Sequence, residues 1–339
     1  MNTLSISSTP TSKQIAFRLL VCCLLLIAAV AGSVSLGATK LDLFTALREA
    51  VSGTPSAAAR ILLHVRLPRT CAALLCGSAL SVSGVLLQGV LNNALAGPNI
   101  IGVTAGAGFA VLLVSIFLPA AAFVPAAAFL GALLAALLVY GIAVKTGAGR
   151  ITLVLAGVAI SGILTAGSNT LELLFPELVL GASNFFLGGF AGVTLQILKA
   201  PALYIFVGLA AAFCSAGGLN LLTLGEETAQ SLGLRVSLTR FLLVAIASLL
   251  AGAAVSFAGL VGFVGLIVPH AARALFGHDH RILLPGAAIG GALLVTVCDL
   301  LARVLFAPFE VPVGILLSFL GGPFFLMLLL RKKRSRLYA

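Results

Sequence analysis

Asp299 and Arg303 stand four residues apart inside an apolar stretch, in the run DLLAR. At helical spacing the two share a face and can pair. Each alone would cost about 2.5–3.5 kcal/mol at the middle of a membrane on insertion scales, so a pair, or a position near a span end, is expected. Arg66 and Arg69, in RLPR, open another apolar run. Two readings of these three arginines stand side by side. They anchor helix ends with snorkelling stems, or they form forks that grip the carboxylates of an acidic protein partner. A third polar stretch, GEETAQSLGLRVSLTR at 225–240, is the longest charged interruption deep in the chain and must lie in water. Thr223 and Glu226 have the spacing of a capping box that opens a short helix. Gly233 is placed to stop that helix, and Arg235 and Arg240 lead into the next apolar run.

Other reactive residue types give no catalytic constellation. His278-Asp279-His280 has donors for a metal, but its place after Gly277, between two apolar runs, reads as a solvated helix end. Pro269 precedes His270 inside a run, where proline bends a helix and the imidazole serves backbone or neighbouring groups. The six cysteines, Cys22, Cys23, Cys71, Cys76, Cys214 and Cys298, contain no CxxC pair and read as buried small hydrophobes. No GxxxxGK[ST], HExxH or GxSxG occurs. The chain therefore brings no phosphate loop of its own, and neither catalysis nor a cofactor or metal is expected. Any energy it uses comes from a partner or a gradient.

The elements that position these residues follow from composition. Of 339 residues 61% are hydrophobic and 9% charged, and the mean hydropathy is +1.22, which excludes a soluble domain. The runs do not alternate as barrel strands do. An all-α polytopic bundle is expected, and 37 glycines suit close helix approach in lipid. The +11 charge sits at run ends and in the tail, which orientation and anionic lipid explain without nucleic acid. With about 20 residues needed per span, ten spans are expected, at 17–37, 66–91, 100–118, 120–144, 151–175, 200–222, 238–258, 259–277, 282–306 and 312–330. The first, preceded by Lys13 and Arg18, reads as an uncleaved helix.

An even count puts both termini on one side, and the tail Arg331, Lys332, Lys333, Arg334 and Arg336 marks that side as cytoplasmic. Segment 225–240 then faces the cytoplasm. Lys40, Arg48, Arg60, Arg66 and Arg69 fall outside, against the rule. Gly77–Gly84 (GSALSVSG) matches Gly252–Gly259 (GAAVSFAG) faintly, on spans of opposite direction. This fits an inverted repeat between the two halves, or a chance likeness of small-residue faces. Segment 176–196 is too polar for a span and is expected as a short helix or re-entrant piece at the outer face.

Ordered blocks along almost the whole chain resemble the binding-protein-dependent ABC permeases for iron-siderophore, haem and cobalamin uptake. They are Arg66-Leu-Pro-Arg69, Gly84 to Gln88, Asn93-Ala-Leu-Ala-Gly-Pro98, Gly102 to Ala107, Leu224 to Gly233, Gly262 to His270, Asp279-His-Arg281, Asp299 to Arg303, Glu310-Val-Pro-Val-Gly314 and Gly322 to Phe325. The resemblance implies a second permease subunit (a copy or a similar paralogue), two ATP-binding subunits, an external substrate-binding protein and a bacterial inner-membrane location. By the same resemblance Arg66, Arg69 and Arg303 receive glutamates of the binding protein. Gly225, Glu226, Glu227, Ala229, Ser231, Leu232 and Gly233 seat in an ATPase groove, and Gln88, Asn93, Pro98, Pro269 and His270 are kink or gate candidates. The chain departs from the family pattern where Asn-Pro-Leu-Ala is here Asn93-Ala94-Leu95-Ala96, and where Phe replaces a common Trp near Asn184–Gly189. The function expected is a permease subunit. An ion-gradient-driven carrier is the alternative, and it would need a mid-membrane ion site for which only Asp299 and Arg303 are on offer. A membrane enzyme has no motif behind it.

Overall fold

A computed structural model describes residues 11–37, 42–52, 56–118, 121–146, 150–307 and 309–337. Lys40 and the expected break at Pro119 lie outside them. Where lipid offers no hydrogen bonds, apolar runs must satisfy their backbone internally, and among the described residues the chain is all helix with no strand. In order come α1 (Ser12–Ser35), α2 (Leu43–Ser52), α3 (Ala57–Ile61), α4 (Leu67–Leu91), α5 (Val103–Phe117), α6 (Val124–Lys145), α7 (Arg150–Leu174) and α8 (Pro176–Leu187). Then follow α9 (Leu195–Cys214), α10 (Ala216–Thr223), α11 (Glu226–Ser231), α12 (Val236–Ala258), α13 (Val264–Phe276), α14 (His280–Val304) and α15 (Val313–Leu337). A π-helical turn, Leu62–Arg66, fuses α3 to α4.

Among the described residues seven helices are long and apolar enough to cross a membrane: Ser12–Ser35, Ala57–Leu91, Val124–Lys145, Ile151–Leu174, Leu195–Cys214, Val236–Ala258 and His280–Val304. Three expected spans hold shorter apolar helices, Val103–Phe117, Val264–Phe276 and Val313–Leu328. The shortening has local causes. Residues Pro98–Ile101 form a 3₁₀ turn and Gly102 takes φ +80°, a left-handed conformation open to glycine, so α5 starts only at Val103. The loop after α12 likewise delays α13 to Val264, with Phe263 at φ 66°. The expected span 200–222 instead starts at Leu195 and breaks at Ser215.

The chain is built around α4, of which all but a few residues are buried. It packs on α14, α12 and α13. Small residues make this possible: a Cβ at Gly77 would overlap the carbonyl of Gly291 on α14, and one at Gly84 that of Gly265 on α13. Ser81 and Ser83 donate to the carbonyls of Ala287 and Ala247 at 2.7 Å each, tying α4 to α14 and α12. Leu24, Ile27, Leu134, Leu155, Ile163 and Phe206 point outward, as lipid contact requires. Cys76 and Cys298 are buried, but Cys214 is exposed, contrary to the reading of all six as interior.

The polar segment 176–196 forms the short helix α8 and a turn that is sewn into the bundle. Gly189 N–H donates to Ala258 O, Leu260 N–H to Phe185 O and Gly314 N–H to Gly188 O. The turn after α8 thus holds the end of α12 and the start of α15 together.

Candidate functional site

Polar groups gather at two opposite ends of the bundle. At the first, Arg69 on α4 donates through Nε to both oxygens of Asp299 at 3.0 and 3.2 Å, and through Nη1 to Glu310. Arg303, one turn beyond Asp299 on α14, meets the same carboxylate at 3.1 Å. Its other nitrogens reach Ser33 Oγ at 2.8 Å, Ser33 O at 3.2 Å and Leu36 O on the chain that leaves α1. Arg66 donates to the carbonyls of Val34 and Ser35. Relative exposures of 3% for Arg66, 6% for Arg69, 3% for Arg303 and 0% for Asp299 place the group in the interior. The arginines therefore neither snorkel nor project as free forks. Buried charge persists only when paired and hydrogen-bonded, and here two carboxylates and the end of α1 satisfy three guanidiniums. Glu310, half-exposed, was not singled out by spacing, although it is the only carboxylate side chain after Asp299. Arg69 and Glu310 also line a cavity of about 380 Å³ with Asn184, Phe185, Ser256 and Gly259.

At the other end the capping box does not form. Helix α10 runs through Thr223, so its hydroxyl bonds back to Asn220 O at 2.7 Å, and Gly225 begins α11 without a side-chain cap. Glu226 instead pairs with Arg240 of α12 at 3.1 Å. Gly233, at φ +85°, closes α11: its N–H donates to Gln230 O, and that of Leu234 to Ala229 O. Ala229 is buried beneath the helix, while Glu227, Ser231 and Leu232 are exposed. Beside α11 lies an open cleft of about 620 Å³ lined by Tyr140, Gln230, Arg235 and Phe241.

The gate candidates lie nearer this second end. Gln88 is buried, donates to Gly265 O at 3.1 Å and accepts from Arg273 of α13. Asn93 accepts from Leu95 N–H at 3.0 Å, while Ala96 N–H donates to its carbonyl. This side-chain turn supplies the constraint that a proline at position 94 would have given. Pro98 opens the 3₁₀ turn. Pro269 is buried within α13, and the His270 ring meets Phe324 edge-on at 5.7 Å.

His278 and Asp279 are exposed at a helix start, as expected for a solvated end, but His280 is not. It is buried, its backbone N–H donates to Asn220 Oδ1 at 3.0 Å, and its Nδ1 lies 2.6 Å from the same oxygen. Asp279 caps α14 through Arg281 N–H and accepts from Asn220 Nδ2 at 2.7 Å. These two donors hold the Asp279 carboxyl below the usual carboxylate range. Nothing in the spacing of the sequence marks Asn220. Among the described residues no group of three or more His, Cys, Asp or Glu side chains is placed to hold a metal.

An ion cluster built from distant parts of the sequence at one pole, and a short polar helix closed by Gly233 at the other, describe a bundle with two distinct faces. The chain is 38% identical to the iron(3+)-hydroxamate import system permease protein FhuB of Bacillus subtilis (strain 168), across 92% of this chain and 82% of that one. To the hemin transport system permease protein HmuU of Yersinia pestis it is 37% identical, across 92% and 95%. To the cobalamin import system permease protein BtuC of Halobacterium salinarum it is 41% identical, across 82% and 75%. A solved ABC transporter of metal-chelate type, in an inward-facing conformation, superposes with a TM-score of 0.82 at 29% identity, covering 92% of this chain and 98% of that chain. Residues 24–331 match the FecCD transport family, and the chain belongs to that family.

Proposed function

We propose that the chain is the membrane-spanning permease subunit of an ATP-driven importer for an iron-siderophore or related metal chelate. In this reading it crosses the bacterial inner membrane ten times with both termini in the cytoplasm, as two pseudo-symmetric halves. It works with a second permease subunit, identical or a similar paralogue, two ATP-binding subunits and an external substrate-binding protein. The observation that supports it most is the family match over nearly the whole chain, among relatives named for hydroxamate, hemin and cobalamin import.

The division of labour follows from the two ends. Helix α11 presents Glu227, Ser231 and Leu232 to an ATPase groove, and the Glu226–Arg240 pair fixes it to α12 so that its displacement moves a span. In this reading the cavity beside Arg69 would receive the chelate from the binding protein. Carboxylates of the docked protein would take over bonds that Arg66 now gives to Val34 and Ser35, and that Arg69 gives to Glu310. Asp299, fully buried and gripped by two guanidiniums, already has its full complement of cations from the chain itself, which weighs against a gradient-driven carrier that would need it as an ion site. The chain's own part is to bind, orient and gate, while hydrolysis belongs to the partner.

The docking role is open to direct test. Arg66→Gln removes a cation while leaving the Arg69–Asp299–Arg303 pairs in place. Titrating the purified transporter with its binding protein should show docking weakened about tenfold, the loss of one contact worth roughly 1.4 kcal/mol. Equal affinity in a variant of unchanged melting temperature would remove Arg66 from the docking site.

A further inference from the structure

The polar knot between α10 and α14 is not used by the function so far described. Asn220 spends its whole side chain on the first turn of α14. Its Oδ1 accepts the backbone N–H of His280 at 3.0 Å, and its Nδ2 donates to Asp279 at 2.7 Å. Because an amide oxygen only accepts, the 2.6 Å approach of His280 Nδ1 requires the ring to carry its proton on that nitrogen. The backbone of Asn220 is engaged as well, accepting the Thr223 hydroxyl just before the turn into α11. The imidazole is buried in the contact of the two helices, while Asp279 stays exposed at its edge. Five residues separate Asn220 from Glu226, the first residue of α11.

From this knot α14 runs unbroken for 25 residues, roughly 37 Å at 1.5 Å per residue. It lies along α4 through the backbone contact of Gly291 with Gly77 and the bond from Ser81 to Ala287 O. Its far end carries Asp299 and Arg303. One helix therefore has its first turn clamped to the segment that leads into α11, and its last turns inside the ion cluster of the opposite face.

We propose that Asn220 is a positioning residue that clamps α14 to the α10–α11 segment, so that displacement of α11 by an ATPase is carried along α14 to the Arg69–Asp299–Arg303 cluster. This rests on the reading of α11 as the ATPase contact and of the cluster face as the docking face. If α14 moves as a unit, nucleotide at one end changes binding-protein affinity at the other, and the ratio of the two affinities measures the coupling.

The test uses the assembled transporter in nanodiscs and measures binding-protein affinity with and without a non-hydrolysable ATP analogue. Asn220→Asp keeps the volume but loses the donor and sets two carboxylates together. It should bring the nucleotide-dependent affinity ratio from on the order of tenfold or more to near one, with nucleotide binding and melting temperature retained. Asn220→Asp combined with Asp279→Asn restores a donor and acceptor in the reverse sense and should restore the ratio. An undiminished ratio in Asn220→Asp, or a lost ratio that the double variant fails to recover, overturns the proposal. Glu226→Arg with Gly233→Pro separates the two readings. If that pair abolishes the ratio while Asn220→Asp preserves it, only the clamp is wrong. If neither affects it, the ATPase role of α11 falls too.

Discussion

Asp299→Ala is expected to destabilise the chain by about 3–5 kcal/mol, the usual loss when one member of a buried ion pair is removed and its partners stay charged. Arg69 and Arg303 both lean on this one carboxylate, which has no exposure to solvent, and Glu310 reaches only Arg69. The variant leaves guanidiniums from α4 and α14 facing each other without their shared anion. Asp299→Asn keeps an acceptor of the same shape and should lose less. Thermal unfolding in detergent, followed by the loss of monodisperse protein, checks the order wild type, Asn, Ala. Equal melting of all three would mean that the cluster contributes nothing to holding α4 against α14.

Glu226→Arg combined with Gly233→Pro is expected to reduce uptake on the order of tenfold or more, which corresponds to losing a coupling of at least about 1.4 kcal/mol. The first change replaces an ion pair to Arg240 by two like charges. The second puts proline, fixed near φ −65°, at a residue whose φ is +85° and removes an N–H that donates to Gln230 O. Both anchors of α11 go and Arg240 loses the Glu226 carboxylate, while the apolar packing among α4, α12 and α14 keeps all its side chains. ATP hydrolysis by the assembled complex should continue without transport, and binding-protein docking should be retained. Uptake at the normal rate would reduce α11 to a well-closed loop.

The helices were legible because hydropathy alone separates apolar runs from their breaks, and the long spans needed nothing more. Where the reading overran, as at 100–118 and 259–277, the cause is backbone geometry: a 3₁₀ turn ending at Gly102, and a loop with Phe263 in a left-handed conformation. Average hydropathy does not register either. The Asp299–Arg303 pair was legible from its four-residue spacing, but Arg69 joins it across 230 positions and Glu310 enters from a loop, and such contacts leave no periodic trace. Thr223 shows how one spacing serves two ends. A hydroxyl three residues before a glutamate suits a helix start, and here it bonds back into the helix it finishes. The same limit hid Asn220, a lone amide in an apolar stretch whose partners lie some sixty residues away.

The most direct measurement of the central claim is chelate uptake into vesicles containing this chain, with its ATP-binding subunits inside and the binding protein and a ferric siderophore outside. Uptake is expected to require enclosed ATP and the binding protein, and to persist when proton and sodium gradients are collapsed. Uptake by the chain alone, driven by an imposed proton or sodium gradient without the ATP-binding subunits, would contradict it.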